Sequence, residues 1–228
     1  MFEFFDIQID VMKRTEKSEM AEVDPRIFHG AIGLVTESGE LVEIVHDSMF
    51  VFQSNIVGAP RNRKAVDRLN VVEEIGDTLW YIALLVDALD ITFKQLVDID
   101  RIPPLNNVPK QLVFQFGIQQ VHISSCILMD ILKCQIYYNR AFDRERFIQN
   151  LSDAVVGIGL VAGGIGTTIE VCTLVNKAKL ENRYRDEYTD KQANERDLEQ
   201  ERQVIAMTFE KAQKDLLPLV PQGPELSL

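Results

Sequence analysis

Cysteine is scarce in this chain. Three occur in 228 residues, Cys126, Cys134 and Cys172, with no CxxC spacing, and all lie in apolar, helix-like runs. An odd, unclustered set excludes a disulfide scaffold and fits structural thiols in a reducing compartment. Positive charge is also in the minority. Lys and Arg number 24 against 35 Asp and Glu, a formal net charge of -11. Such a chain is a poor candidate for unspecific contact with nucleic acid or anionic membrane. An anionic substrate would need a local basic patch or bound metal. The first residues, MFEFFD, lack the basic region of a signal peptide. Residues 154–169 come nearest to a membrane span, but they hold five glycines and stop at Glu170. A soluble cytoplasmic protein is expected.

Strand patterns are missing as well, so the predicted class is all-α. Residues 2–14 suggest a short helix, although positions 7, 9 and 11 alternate. Asp24 and Pro25 make a helix start, and a long helix is expected from Arg26 to about Gln53. Gly58–Lys64 is a basic loop carrying Arg61, Arg63 and Lys64. A second long helix is expected over 64–89, apolar nearly all round after Asp77, as suits the middle of a bundle. Thr92 can cap a short helix to Asp100, followed by a proline-rich linker over 101–109. A third long helix spans 110–139. Asp143 can cap a fourth running to about Leu180. After a turn at Tyr184–Tyr188, Thr189 or Asp190 caps a charged helix over 191–213. The tail from Pro218 is expected to be extended or mobile.

Within this frame the acids are not scattered. Glu37 and Glu40 are three residues apart, and so are Glu74 and Asp77. That spacing places each pair on one helix face. If the two helices face each other, four carboxylates converge. Four partly buried carboxylates are strongly unfavourable without a cation, and an all-oxygen donor set suits Mg²⁺ or Mn²⁺.

Residues 29–100 and 116–178 share a plan of two long helices and a loop. With His29–Gly33 laid on Phe116–Gln120 and a later loop about nine residues shorter, Glu37 falls on Ser124, Glu40 on Ile127, Glu43 on Asp130, Glu74 on Ser152, Asp77 on Val155 and Ile91 on Ile169. The second helix pair then has Ser, Ile and Val where the first has its two pairs of acids. The expected organisation is a first repeat over 1–105, a degenerate second repeat with a C-terminal motif over 106–215, and a tail over 216–228. The first two pack as one domain.

Three stretches resemble the motifs of the MazG-like nucleotide pyrophosphohydrolases, within the all-α NTP pyrophosphatase superfamily. They are Phe28–Leu41 (FHGAIGLVTESGEL), Val72–Ile82 (VEEIGDTLWYI) and Asn176–Tyr184 (NKAKLENRY), with Ala193–Glu199 fitting the usual ending. The resemblance covers about 27–100 and 174–205. Its order is unusual, because the third motif follows the second helix pair and not the first. The losses are complementary: one half keeps the acids and the other keeps the ending. This is similar to the tandem arrangement of the dimeric-type dUTPases. It suggests one composite site in a monomer that imitates a dimer, or in a homodimer of such chains.

The resemblance implies hydrolysis of a nucleoside triphosphate to monophosphate and pyrophosphate. It implies Mg²⁺, with Mn²⁺ possible, on Glu37, Glu40, Glu74 and Asp77, one of which would serve as general base. Lys179 and Arg183 share a helix face and are favoured over Lys177 as phosphate ligands. Asn176 and Tyr184 belong to the same motif. Tyr81 can stack on a base or join the core, and His29 can line the base pocket or be structural. Gly157–Gly166 follows no strand and has no P-loop lysine, so close helix packing suits it better than phosphate binding. A ferritin-like di-metal oxidase is the remote alternative. It needs two Glu-x-x-His motifs, and only Glu43–His46 is present. A non-catalytic, structural MazG-like protein is the other.

Overall fold

The structure is a computed structural model that describes residues 9, 11–13, 20–50, 66–96, 108–184 and 189–217. The described residues contain helices and no strand, so the all-α expectation holds for them. The basic loop at Arg61–Lys64, the linker over 101–107 and the tail from Pro218 lie outside the described residues.

Helix α1, Pro25–Phe50, begins where Asp24 Oδ1 accepts from the backbone N–H groups of Arg26 and Ile27, at 2.8 and 3.2 Å. Helix α2, Arg68–Ala88, starts later than residue 64. Asp67 caps it by accepting from the N–H groups of Leu69 and Asn70 at 3.1 and 3.4 Å. A further helix, α3, is described over Phe93–Leu96, and the rest of the expected stretch to Asp100 lies outside the described residues. Then come α4, Lys110–Tyr138, and α5, Arg144–Gly164, which Asp143 caps at Arg146 N.

The expected fourth helix does not continue to Leu180. It stops at Gly164, the chain turns at Gly166 with φ +70°, and α6 runs from Ile169 to Tyr184. A positive φ cannot be carried inside a right-handed helix, so the glycines that loosened the apolar run also end it. The charged C-terminal helix is likewise two helices. Thr189 caps α7 (Asp190–Asn194), and Asp197 caps α8 (Leu198–Leu216).

Helices α1 and α2 form one antiparallel pair and α4 and α5 another. Helix α1 crosses α4, and Ser38 Oγ stands 3.1 Å from His122 Nδ1. Leu34, Leu41, Ile75, Ile82, Leu85, Phe114, Leu128, Phe147 and Leu151 fill the space between the pairs with no exposed surface. Small residues bring α4 and α5 close. A Cβ on Gly157 would lie 2.7 Å from Val121 Cγ2, so any larger residue would part the helices. That is the role expected for the glycine run. By length and composition α4 and α5 are apolar enough to cross a membrane. In the fold they pack on each other.

The two pairs end alike. One shift takes the cap Asp67 to the cap Asp143, and the C-cap Leu89 to the C-cap Ile165. It takes Asp90 (φ +50°) to Gly166, and the first residue of α3 to the first of α6. The clamps cross: Arg68 Nη2 donates to Gly166 O at 2.8 Å, and Arg144 Nη2 to Leu89 O at 2.6 Å. The trailing segments cross too, with α6 packed on α2 and α3 on α5.

Counted from these caps, the second helices lie two residues from the register expected from the sequence. Glu74 falls on Asn150 and Asp77 on Asp153, in place of Ser152 and Val155. Laying Ile91 on Ile169 gives the other register, and helices that are apolar over most of their surface do not discriminate between the two. The caps fix the register where hydrophobicity does not.

Candidate metal and polyphosphate site

The acids sit where the antiparallel pairing of α1 and α2 brings the middle of one helix against the middle of the other. Glu37 comes from α1, Glu74 and Asp77 from α2. One carboxylate oxygen from each lies within 4.8 Å of the others. Glu74 is buried, with 7% of its surface exposed, and the other two are partly buried. Glu40 stands outside this closest group but raises the proton affinity of both Glu37 and Glu74 through its charge.

The electrostatics show the cost of the arrangement. Burial, then the charges of Asp77 and Glu40, push Glu37 up to about 7. Burial, then Glu40, Asp77, Glu37 and Glu73, push Glu74 up to about 9. Two carboxylates that resist ionisation beside a third are a site short of positive charge. Among the described residues, histidine and cysteine do not enter the cluster, so its donors are all oxygen. That set fits a hard divalent cation.

Helix α6 supplies the third wall. Its approach to α2 depends on Gly76, where a Cβ would lie 2.6 Å from Asn176 Cβ. Through this gap Asn176 Nδ2 donates to Asp77 Oδ1 at 2.7 Å. One turn later Lys179 Nζ donates to the same oxygen at 2.6 Å, reaches Asp77 Oδ2 as well, and lies 3.3 Å from Glu73 Oε1. Lys179 is only 1% exposed. The residues expected on separate helices therefore meet at Asp77, and Lys179 grips carboxylates.

Arg183 is placed differently. Its Nε and Nη2 donate to the two Glu201 oxygens at 2.7 and 2.8 Å. Arg196 adds a bond to Glu201 Oε2 at 2.8 Å and lies 3.9 Å from Glu73 Oε1. Burial works against charge on Arg183, but the Glu201 bonds dominate and hold it above its ordinary value. In this arrangement Arg183 braces α6 against α8. Tyr184 lies beside it, with the Arg183 guanidinium 5.6 Å from its ring centre. Glu201 is not among the expected site residues, because a glutamate in a charged helix carries no signal of burial.

Beside the acids stands an aromatic group. His29 packs edge-on to Tyr81 at 5.7 Å and to Trp80 at 6.1 Å, and the Trp80 and Tyr81 centroids are 5.0 Å apart. Tyr81 is half-buried and fits over Gly33, where a Cβ would lie 2.0 Å from its Cε1. Trp80 is 43% exposed. Sequence reasoning missed it, since a tryptophan inside an apolar helical run gives no sign of reaching the surface. Burial, then the charge of Glu37, raises the Tyr81 phenol above its ordinary value. Glu43 and His46, the Glu-x-x-His of the oxidase alternative, are exposed and outside the acid cluster.

No protein-family model, curated protein or solved structure matches the chain.

Proposed function

We propose that this protein is a divalent-metal-dependent hydrolase of polyphosphates. More narrowly, we propose a MazG-like nucleoside triphosphate pyrophosphohydrolase that yields monophosphate and pyrophosphate. The observation that carries this reading is the meeting of Glu37, Glu74 and Asp77 with a buried lysine from a third helix. Carboxylates alone would suit any cation. Carboxylates with an ammonium beside them suit a metal-bound anion. The rings of His29, Trp80 and Tyr81, next to the acids, add a surface on which a planar base can stack.

Glu37, Glu74 and Asp77 would hold Mg²⁺ or Mn²⁺, with Glu40 at the edge of the set. The bound ion supplies charge to the α-phosphate and lowers the pKa of an attacking water. The chain's own tasks are then to hold, shield and neutralise. Asn176 fixes the Asp77 carboxylate by its bond to Oδ1. Glu74, the most buried acid of the cluster, keeps its carboxylate away from bulk water. Glu37 and Glu40 are the acids that α1 offers to an entering water, and either can accept its proton.

The matched ends of the two helix pairs support a duplication. Positions that pack alike support it: a Cβ on Gly30 would meet Leu85, one on Gly117 would meet Val161 N at 2.8 Å, and Val161 is the residue that the shift assigns to Leu85. In the register counted from the caps the second pair sets Ser124, Asn150 and Asp153 where the first has Glu37, Glu74 and Asp77. It thus keeps one acid, and Gln149 Nε2 donates to Asp153 at 3.1 Å. A single acid does not make a metal site, so the second pair acts as the built-in partner of the first.

The test is incubation of purified protein with a panel of canonical and modified nucleoside triphosphates and Mg²⁺, with chromatography of the products. Monophosphate and pyrophosphate from at least one of them is the expected outcome. Metal binding without turnover of any nucleotide would leave the structural alternative standing.

A further inference from the structure

Lys179 is used in an unexpected way. A phosphate-binding lysine should present its ammonium to a cleft. This one is 1% exposed and points at Asp77 and Glu73. An ammonium has three N–H donors, and here it reaches both Asp77 oxygens and one of Glu73. It therefore occupies the carboxylate that, on the reading above, is a metal ligand. Asp77 cannot serve both cations fully. A divalent ion on Asp77 would stand a few ångströms from the ammonium, in surroundings that screen charge poorly.

The charges next to Lys179 give that ammonium little choice of a new partner. Glu73, its other contact, also lies 3.9 Å from Arg196 Nη2, and Arg196 is bonded to Glu201, which is bonded to Arg183. Asp77, Lys179, Glu73, Arg196, Glu201 and Arg183 thus form one chain of alternating charge, running from the acid cluster to α8. An ammonium displaced from Asp77 finds Glu73 already shared. Burying it unpaired would be costly. An incoming polyphosphate is the anion that resolves the conflict, and the flexible four-carbon stem lets the ammonium turn toward it.

We propose that Lys179 is a tethered counter-cation that trades places with the divalent ion on Asp77, so that metal and polyphosphate bind cooperatively. This rests on the metal-site reading and adds a regulation to it. Without polyphosphate the lysine opposes metal entry and keeps Asp77 paired between turnovers. With polyphosphate present the lysine moves onto the anion, and the obstacle to metal becomes a contact to substrate. By linkage, whatever the anion gains from the metal, the metal gains from the anion.

The experiment measures Mn²⁺ binding alone, by the loss of the free-ion electron paramagnetic resonance signal, with no nucleotide present. Lys179→Met should bind Mn²⁺ about tenfold or more tightly than the unaltered protein, because the competing cation is gone. Lys177→Met, altered on an exposed residue of the same helix, should match the unaltered protein. Equal or weaker Mn²⁺ binding by a folded Lys179→Met would overturn the exchange. A second measurement needs no variant. Amine-reactive labelling of the unaltered protein, read by peptide mass spectrometry, should show Lys179 protected without metal, several-fold more labelled with saturating Mg²⁺, and protected again when pyrophosphate is added. Unchanged protection under conditions where Mn²⁺ binding is demonstrated would refute the trade while leaving the metal site intact. Failure of Mn²⁺ to bind either protein would overturn the metal site itself.

Discussion

Glu74→Gln should stabilise the metal-free protein, and the gain should grow with pH. Glu74 is raised from 4.5 to about 9, first by burial and then by Glu40, Asp77, Glu37 and Glu73. A carboxylate whose folded pKa lies above its unfolded value adds stability at low pH, and that contribution is lost as pH rises toward the folded pKa. Near pH 8 the unfolded chain carries Glu74 ionised and the folded chain holds it mostly protonated, a penalty of ~5 kcal/mol if the cluster stays rigid. Movement of the partly exposed Glu37 and Asp77 away from one another reduces this to about 2–3 kcal/mol. For a chain of this size that corresponds to roughly 5–10 °C in Tm. The glutamine side chain keeps the shape of the glutamate and removes its charge, and its amide can still donate to Glu37 as the Glu74 carboxyl does. The assay is calorimetry of chelator-treated protein from about pH 5 to about pH 9. The two proteins should melt together at the acid end and separate steadily above it, the variant higher. Saturating Mg²⁺ should reverse the order, since the unaltered protein gains the binding free energy and the variant gains less. A variant that melts below the unaltered protein near pH 8 without metal, with a parallel pH dependence, would refute the claim that this cluster is short of positive charge.

Two further outcomes follow from particular contacts. Trp80 is the sole tryptophan and is partly exposed beside Tyr81 and His29, so nucleotide binding should quench or shift its fluorescence. Trp80→Ala should weaken nucleotide binding by roughly 1–3 kcal/mol, the range for a lost stacking partner, as measured by calorimetric titration with a non-hydrolysable triphosphate. Glu201→Gln should destabilise the fold by about 3 kcal/mol in urea unfolding at neutral pH, because it leaves Arg183 and Arg196 without their buried partner. Burial alone would raise Glu201, but the bonds from the two arginines lower it. Its contribution is therefore present above the ordinary carboxylate range and lost as pH falls below it, and the difference between the two proteins should shrink in acid.

Much of the site was legible because three-residue spacing on a helix is a geometric statement. Glu37 and Glu40, or Glu74 and Asp77, cannot avoid sharing a face once α1 and α2 exist. That the two faces meet depends on the antiparallel pairing, which the apolar pattern implied. The meeting of Lys179 with Asp77 was suggested only by motif order, since no local property of residues 176–184 reveals what α6 packs against. The sequence could not show that Arg183 is committed to Glu201, because charged residues at helical spacing look alike whether solvated or buried. Helix ends were less legible than helix existence. The break at Gly163–Gly166 lies in an apolar run whose glycines favour both close packing and termination. The register of the second pair was poorly legible for a related reason: when a helix is apolar nearly all round, a two-residue slip changes little in its pattern, whereas it moves the Asp67 and Asp143 caps out of correspondence.

The register counted from the caps also bears on stoichiometry. Each helix pair is completed by the segment trailing the other, α6 on α2 and α3 on α5. If the two halves descend from one unit, an ancestral pair of such units would have had two equivalent sites. On that reading the second position of this chain would have lost both components. Its acids are reduced to Asp153, with Ser124 and Asn150 beside it in sequence register. The shift that carries Thr92 to Thr168 carries Lys179 back to Pro103 and Asn176 back to Asp100. A proline has no ammonium to offer and an aspartate side chain no amide donor, so in that register Asp153 would have no counterpart of the grip that Lys179 and Asn176 have on Asp77. The loss of acids on one side and of their cationic partner on the same side is coherent, since a lysine with no carboxylates to neutralise would be a buried, unpaired charge. One nucleotide per chain is therefore expected in equilibrium titration, whatever the number of chains in the assembly. Two per chain would show that the second pair has kept a working site and that the complementary-loss reading is mistaken.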